Sequence, residues 1–148
     1  MIQWENLTKG EILGGIGIIG SAIAELYGGW TQGMTTLVIM MSVDYIMGIL
    51  VAGVFGASKK TEDGKLESRA GWKGLVRKGV TLLIVLVATR IDMLIGTNFV
   101  RDAAVIGFAA NELLSIVENA GLMGVPMPAA ITNAVEVLQN KAKEDNKE

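Results

Sequence analysis

The chain has 148 residues, 51% of them hydrophobic and 19% charged, with 19 glycines and a mean hydropathy of +0.45, too apolar for an ordinary soluble domain. At about 20 residues per spanning helix, it has room for three or four membrane crossings and for no large separate soluble domain. It contains neither cysteine nor histidine and has a net charge of −2, which excludes disulfides, thiolate or Ser-His-Asp catalysis and the usual zinc ligands; an all-α membrane protein without enzymatic activity, cofactor or nucleic-acid partner is expected.

Residues 12–28 form a Gly-rich apolar run broken only by Glu25, long enough to span a bilayer as a helix. Ala22-Ile23-Ala24 also fits the cleavage site of a signal peptide, but Glu5, Lys9 and Glu11 ahead of it do not supply the positive start such a peptide needs. Gly15-x-Gly17-x-x-Gly20 matches the dinucleotide fingerprint without room for the preceding strand, and Asn6-Leu7-Thr8 matches a glycosylation sequon that means nothing without an extracellular N-terminus. Residues 34–57 are the strongest span, apolar throughout except for Asp44. The segment 58–78 that follows carries Lys59, Lys60, Lys65, Arg69, Lys73, Arg77 and Lys78 against Glu62, Asp63 and Glu67, a local charge of +4.

Residues 79–95 give a third span that ends with Arg90 and Asp92, and Gly96-Thr97-Asn98 reads as a tight turn. The fourth segment, 99–119, is amphipathic: Arg101, Phe108, Glu112, Ser115 and Asn119 fall on one side of a helical wheel, with Ala103, Ile106, Ala110, Leu113, Leu114 and Val117 on the other. It either spans with its polar side turned from lipid or lies flat at the interface. Pro126 and Pro128 end it, and Pro128 opens a short helix over 128–140 with an apolar stripe of Ile131, Ala134, Val135 and Leu138, followed by a solvated charged tail at 141–148. Short Lys/Arg-rich loops stay on the cytoplasmic side, so 58–78 orients the chain with its N-terminus inside, and with four spans the C-terminus as well. Trp4, Tyr27, Trp30 and Trp72 lie at the expected span ends, where amphipathic rings favour the interface.

A charge at mid-bilayer costs at least ~2.5 kcal/mol and needs a partner or water. Counted from the basic segment, Asp44 and Arg90 lie at similar depths, roughly 21 and 18 Å in, so an Asp44–Arg90 ion pair is expected, with Asp92 on another face of its helix. These three groups either tie the bundle together or line an aqueous path. Small residues recur at Gly10 and Gly14, at Gly17 and Ser21, and at Gly48, Ala52 and Gly56, faces suited to helix packing within one subunit or between copies. The basic segment serves as an orientation signal or, further, as a lever on anionic lipid.

Three blocks resemble the holins of phage lysis and toxin secretion: Asp44-Tyr45-x-x-Gly48, then Ser68-x-x-Gly71-x-x-Gly74-x-x-Arg77-Lys78 leading into the span with Asp92, then Asn111-Glu112-x-x-Ser115-Ile116-x-Glu118-Asn119 with Gly124-x-Pro126-x-Pro128. They lie in the family's order across about residues 37–138. The resemblance implies a cytoplasmic-membrane protein that accumulates and then homo-oligomerises into lesions. Its partners would be membrane lipids, an endolysin or toxin as cargo, and an antiholin. In that picture Arg101, Glu112, Ser115 and Asn119 become the pore face. A small transporter using Glu25 or Asp44, or a membrane scaffold binding through 58–78, are the competing readings.

Overall fold

The computed structural model describes residues 8–145 and 147, so Trp4, Glu5, most of the sequon and two residues of the tail lie outside the described residues. Every regular element described is an α-helix: α1 (Lys9–Leu26), α2 (Gln32–Gly53), α3 (Ser68–Ile95), α4 (Phe99–Leu122) and α5 (Ala129–Asp145). They fall into two compact units, residues 1–30 and residues 31–148.

In the first unit, α1 begins with a reciprocal cap. The Glu11 backbone N–H donates to the Thr8 hydroxyl at 3.3 Å, and the Thr8 N–H donates to the Glu11 carboxylate at 2.8 Å, satisfying two of the free donors that any helix start leaves. The helix ends where Gly28 and Gly29 close back onto the carbonyls of Glu25 and Ala24, both at 2.9 Å. None of its residues is buried. Ile12, Ile16, Ile19 and Ile23 form one exposed ridge, and a side chain added at Gly14 or Gly17 on the opposite side would touch nothing.

The second unit is built around α4, which packs along α2, α3 and α5, while α2 and α3 touch each other little. Met34, Leu37 and Val51 of α2 and Val85 of α3 are its fully buried side chains. Among the described residues, α2 is the helix long and apolar enough to cross a membrane on composition alone; α1 carries Lys9, Glu11 and Glu25, and α3 carries Lys78, Arg90 and Asp92. Outward-facing side chains of α2 and α3, such as Ile39, Ile46, Leu83, Val87 and Leu94, are apolar and exposed.

Three boundaries differ from the sequence expectation. The basic segment is not a loop throughout, because α3 starts at Ser68 and its first three turns take residues 68–78. The true connection, 54–67, is pinned by the Ser58 N–H donating to the Gly64 carbonyl at 3.0 Å. Gly64 sits at φ +75°, where a Cβ would collide with the Gly56 carbonyl oxygen. The span 34–57 runs too long: α2 stops at Gly53 and Gly56 turns at φ +59°, so Gly48, Ala52 and Gly56 do not form one helical ridge. Finally, residues 141–145 continue α5 instead of starting a tail. Pro128 accepts the Ile131 N–H at 3.0 Å to open that helix, Val135 is buried, and the run Gln139–Asp145 contains no helix breaker.

Candidate functional site

Halfway along α2, α3 and α4, three ionisable side chains meet. Asp44 stands nine residues before the end of α2, Lys78 ten residues into α3, and Glu112 ten residues before the end of α4. At 1.5 Å per residue, all three lie about 14–15 Å from the loop-side ends of their helices. The Lys78 ammonium bridges the two acids, at 2.8 Å from Asp44 Oδ2 and 2.6 Å from Glu112 Oε2. Asn119, about two turns beyond Glu112, donates its amide to Asp44 Oδ1 at 3.0 Å, and the Ser115 hydroxyl faces the same carboxylate. Asp44 is only 5% exposed, so each of its oxygens needs the partner it has. With all three groups ionised the cluster holds two negative charges against one positive.

Neighbouring residues fit around this cluster. Tyr45 lies across α3, its hydroxyl donating to the Gly71 carbonyl at 3.3 Å. A Cβ at Gly71 would lie 3.5 Å from the Tyr45 hydroxyl and one at Gly74 3.8 Å from its ring, ordinary van der Waals contact, so Tyr45 rests against this face of α3. A cleft of about 120 Å³ adjoins the cluster, lined by Asp44, Lys78 and Asn119 together with Gly48, Ala52 and Leu122 of the helices and Lys60, Thr61 and Glu67 of the connection.

Asp92 forms a second polar centre at the other end of α3. Its Oδ1 accepts from the Thr97 hydroxyl at 2.6 Å and the Val100 N–H at 3.1 Å, and its Oδ2 accepts from the Arg101 N–H at 2.7 Å. Asn98, at the N-cap of α4, makes no side-chain cap bond. Asp92 therefore caps α4 from the preceding helix and closes the α3–α4 turn that Gly96 opens at φ +73°.

The expected Asp44–Arg90 pair does not form. Arg90 lies 12 residues beyond Lys78 on α3, about 18 Å further along; it is exposed and directs its guanidinium at the Met93 sulfur, 3.3 Å away. Lys78, read from sequence as the last charge of a loop, holds the place. Of the expected pore face, Glu112, Ser115 and Asn119 do converge, toward Asp44 and Lys78. Arg101 sits apart, at the Asp92 end, paired with Asp102 at 3.1 Å. Asn111 and Glu118 of the third block are exposed, and Pro126 and Pro128 lie in the connection to α5. Arg77 is exposed on α3.

These contacts bring residues from all three sequence blocks into one place. A sequence profile described as the bacteriophage holin family matches residues 21–140. The chain belongs to that family. It is 36% identical over 105 residues to a protein of Bacillus phage phi105 named "probable holin", covering 70% of this chain and 72% of the phage protein. An uncharacterized protein of Listeria monocytogenes is 34% identical over 142 residues, covering 95% and 93% of the two chains. A Clostridium perfringens protein described by its place in the nagH 3′ region is 31% identical over 139 residues, covering 93% and 98%. No solved structure matches this holin-family chain. Membership of the holin family implies a place in the cytoplasmic membrane.

Proposed function

We propose that the chain is a holin: it accumulates in the cytoplasmic membrane as closed protomers and then self-assembles into lesions through which an endolysin or toxin leaves the cell. The observation that carries this reading is the inward-turned polar face of α4. Glu112 and Asn119 find partners on α2 and α3 within one chain, while Ile39 and Ile46 of α2 and Leu83, Val87 and Leu94 of α3 face outward as apolar side chains. A protomer of this kind is compatible with lipid while closed. If α4 separates from α2 and α3, the same side chains lose their protein partners and need water, which a lesion shared between copies supplies.

The geometry also favours α4 crossing the membrane over lying flat on it. An interfacial helix needs a polar face for the headgroups, and in α4 the middle of that face is occupied by Asp44 and Lys78. With α1 to α4 all spanning, the 54–67 connection and both termini lie on the cytoplasmic side. Antiholin control would act on the step that opens the protomer.

Induced expression in bacteria beside a cytoplasmic murein hydrolase tests the reading. Delayed, sudden depolarisation followed by hydrolase-dependent lysis is expected. Membrane-inserted protein that leaves potential, growth and hydrolase retention unchanged would contradict lesion formation and favour a transporter or scaffold.

A further inference from the structure

The first turns of α3 carry a feature that lesion formation does not use. Arg69, Lys73 and Arg77 recur every four residues, which stacks them on one side of the helix. All three are exposed, and none forms an ion pair among the described residues, where the acids paired are Asp44, Glu112 and Asp102. Lys60 faces them from the loop across an open groove. The acids of that groove, Glu62, Asp63 and Glu67, belong to the loop, and Asp63 is already engaged by the Lys65 N–H at 3.0 Å. Lys73 and Arg77 share the groove with these loop acids, but among the described residues neither is held in an ion pair.

Flanking the stripe on its lipid-facing side are Trp72, 66% exposed, with Val76 and Val80. Arg77 stands next to Lys78, and Arg69 lies about 12 Å further toward the 54–67 connection, so the outer end of the stripe reaches the headgroup layer, some 5–8 Å thick, on that side of the membrane. Long basic side chains reach along such a layer while their stems stay on apolar surface, and an indole beside them prefers the same depth. An orientation signal requires only a count of positive charges near a span. It does not require them in register on one helix face, unpaired, beside an exposed tryptophan.

We propose that Arg69, Lys73 and Arg77, with Lys60 opposite, form a docking site for the phosphodiester headgroups of anionic phospholipids. The proposal goes beyond lesion formation and rests on that reading only in taking α3 to cross the membrane. The site binds lipid phosphate through charge-assisted hydrogen bonds from two guanidinium and two ammonium groups, and holds α3 at fixed depth.

Trp72 supplies the test. Full-length protein with Trp4→Phe and Trp30→Phe keeps Trp72 as its single indole, and is reconstituted in phosphatidylcholine bilayers with a minor fraction of brominated phosphatidylglycerol or, in parallel, brominated phosphatidylcholine. Quenching severalfold stronger by the anionic lipid is expected. Arg69→Gln/Lys73→Gln/Arg77→Gln should abolish that preference, Lys73→Gln alone should reduce it, and Lys59→Gln/Lys65→Gln/Lys141→Gln, an equal loss of charge elsewhere, should leave it intact. Three outcomes would overturn the proposal: no preference in the parent protein, equal loss in the comparator, or full relief of quenching by millimolar glycerol phosphate, which would mark a site for soluble anions. The readout does not involve lysis, so a protein that binds the lipid but fails to lyse cells refutes the holin mechanism and leaves the docking site standing.

Discussion

Lys78 holds together three helices that otherwise share little contact between α2 and α3. Its ammonium answers two carboxylates at 2.8 and 2.6 Å, and losing it leaves both acids buried without a counter-charge. Lys78→Met should therefore destabilise the protein by about 3–5 kcal/mol, measured by denaturant unfolding in micelles, and the neutral triple variant Asp44→Asn/Lys78→Met/Glu112→Gln should recover most of that loss. Asp92 allows a sharper comparison. Asp92→Ala removes the cap of α4 and should cost about 1–2 kcal/mol, whereas Arg90→Ala two positions earlier should stay within about 0.5 kcal/mol, because Arg90 is exposed and its guanidinium donates to the Met93 sulfur instead of a carboxylate. Sequence spacing marked Asp44, Arg90 and Asp92 as charges needing a partner or water, expected an Asp44–Arg90 pair, and set Arg101, Glu112, Ser115 and Asn119 on one side of α4; in the fold Glu112, Ser115 and Asn119 meet Asp44 and Lys78 while Arg90 and Arg101 lie elsewhere. It assigned the wrong cation because Lys78 sits among six other basic residues of one segment, and charge density there reads as a solvated loop.

At the scale of elements, that error has a local cause. α1 and α2 open with threonine caps, at Thr8 and Thr31, signals that can be read from residue type. α3 opens at Glu67 with no side-chain cap and continues through charged residues, so neither a cap nor an apolar period marks its start. Once eleven residues are added to α3, Lys78 replaces Arg90 at the depth of Asp44. The end of α2 was hidden in the opposite way, since Val54 and Phe55 extend its apolar run past the last helical residue, and only the backbone shows Gly56 turning at φ +59°. The α3–α4 turn was legible because Gly96-Thr97-Asn98 is turn chemistry, but its capping by Asp92 depends on a contact across the turn.

The cap of α1 makes that element sensitive to acid. Hydrogen bonds from the Thr8 N–H and hydroxyl hold the Glu11 carboxyl below the usual glutamate range. A carboxyl whose folded value is depressed stabilises the helix above its unfolded value, and that contribution fades as pH falls through the folded one. Protection factors of amides in the first turn of α1, measured against the intrinsic exchange rate at each pH, should therefore fall on acidification below the ordinary glutamate range, and Glu11→Gln should remove that fall.

For the whole molecule, the all-α fold and the holin family follow from apolar runs and from three motif blocks, and the structure adds the reason the blocks occur together. Asp44-Tyr45, Gly71-x-x-Gly74 with Lys78, and Glu112 through Asn119 are parts of one contact, in which Tyr45 rests against α3 at Gly71 and Gly74 and Lys78 joins the acids. That contact keeps the polar face of α4 covered, and its release is the event that would expose the face to water. Because the natural chain has no cysteine, a single reporter at this face gives an unambiguous signal. The most direct measurement is therefore labelling of Ser115→Cys with a membrane-impermeant maleimide in cells, before and after lysis is triggered. Protection before triggering and rapid labelling after it are predicted, whereas a thiol that stays protected while the membrane is fully permeabilised would contradict the opening of α4 as the source of the lesion.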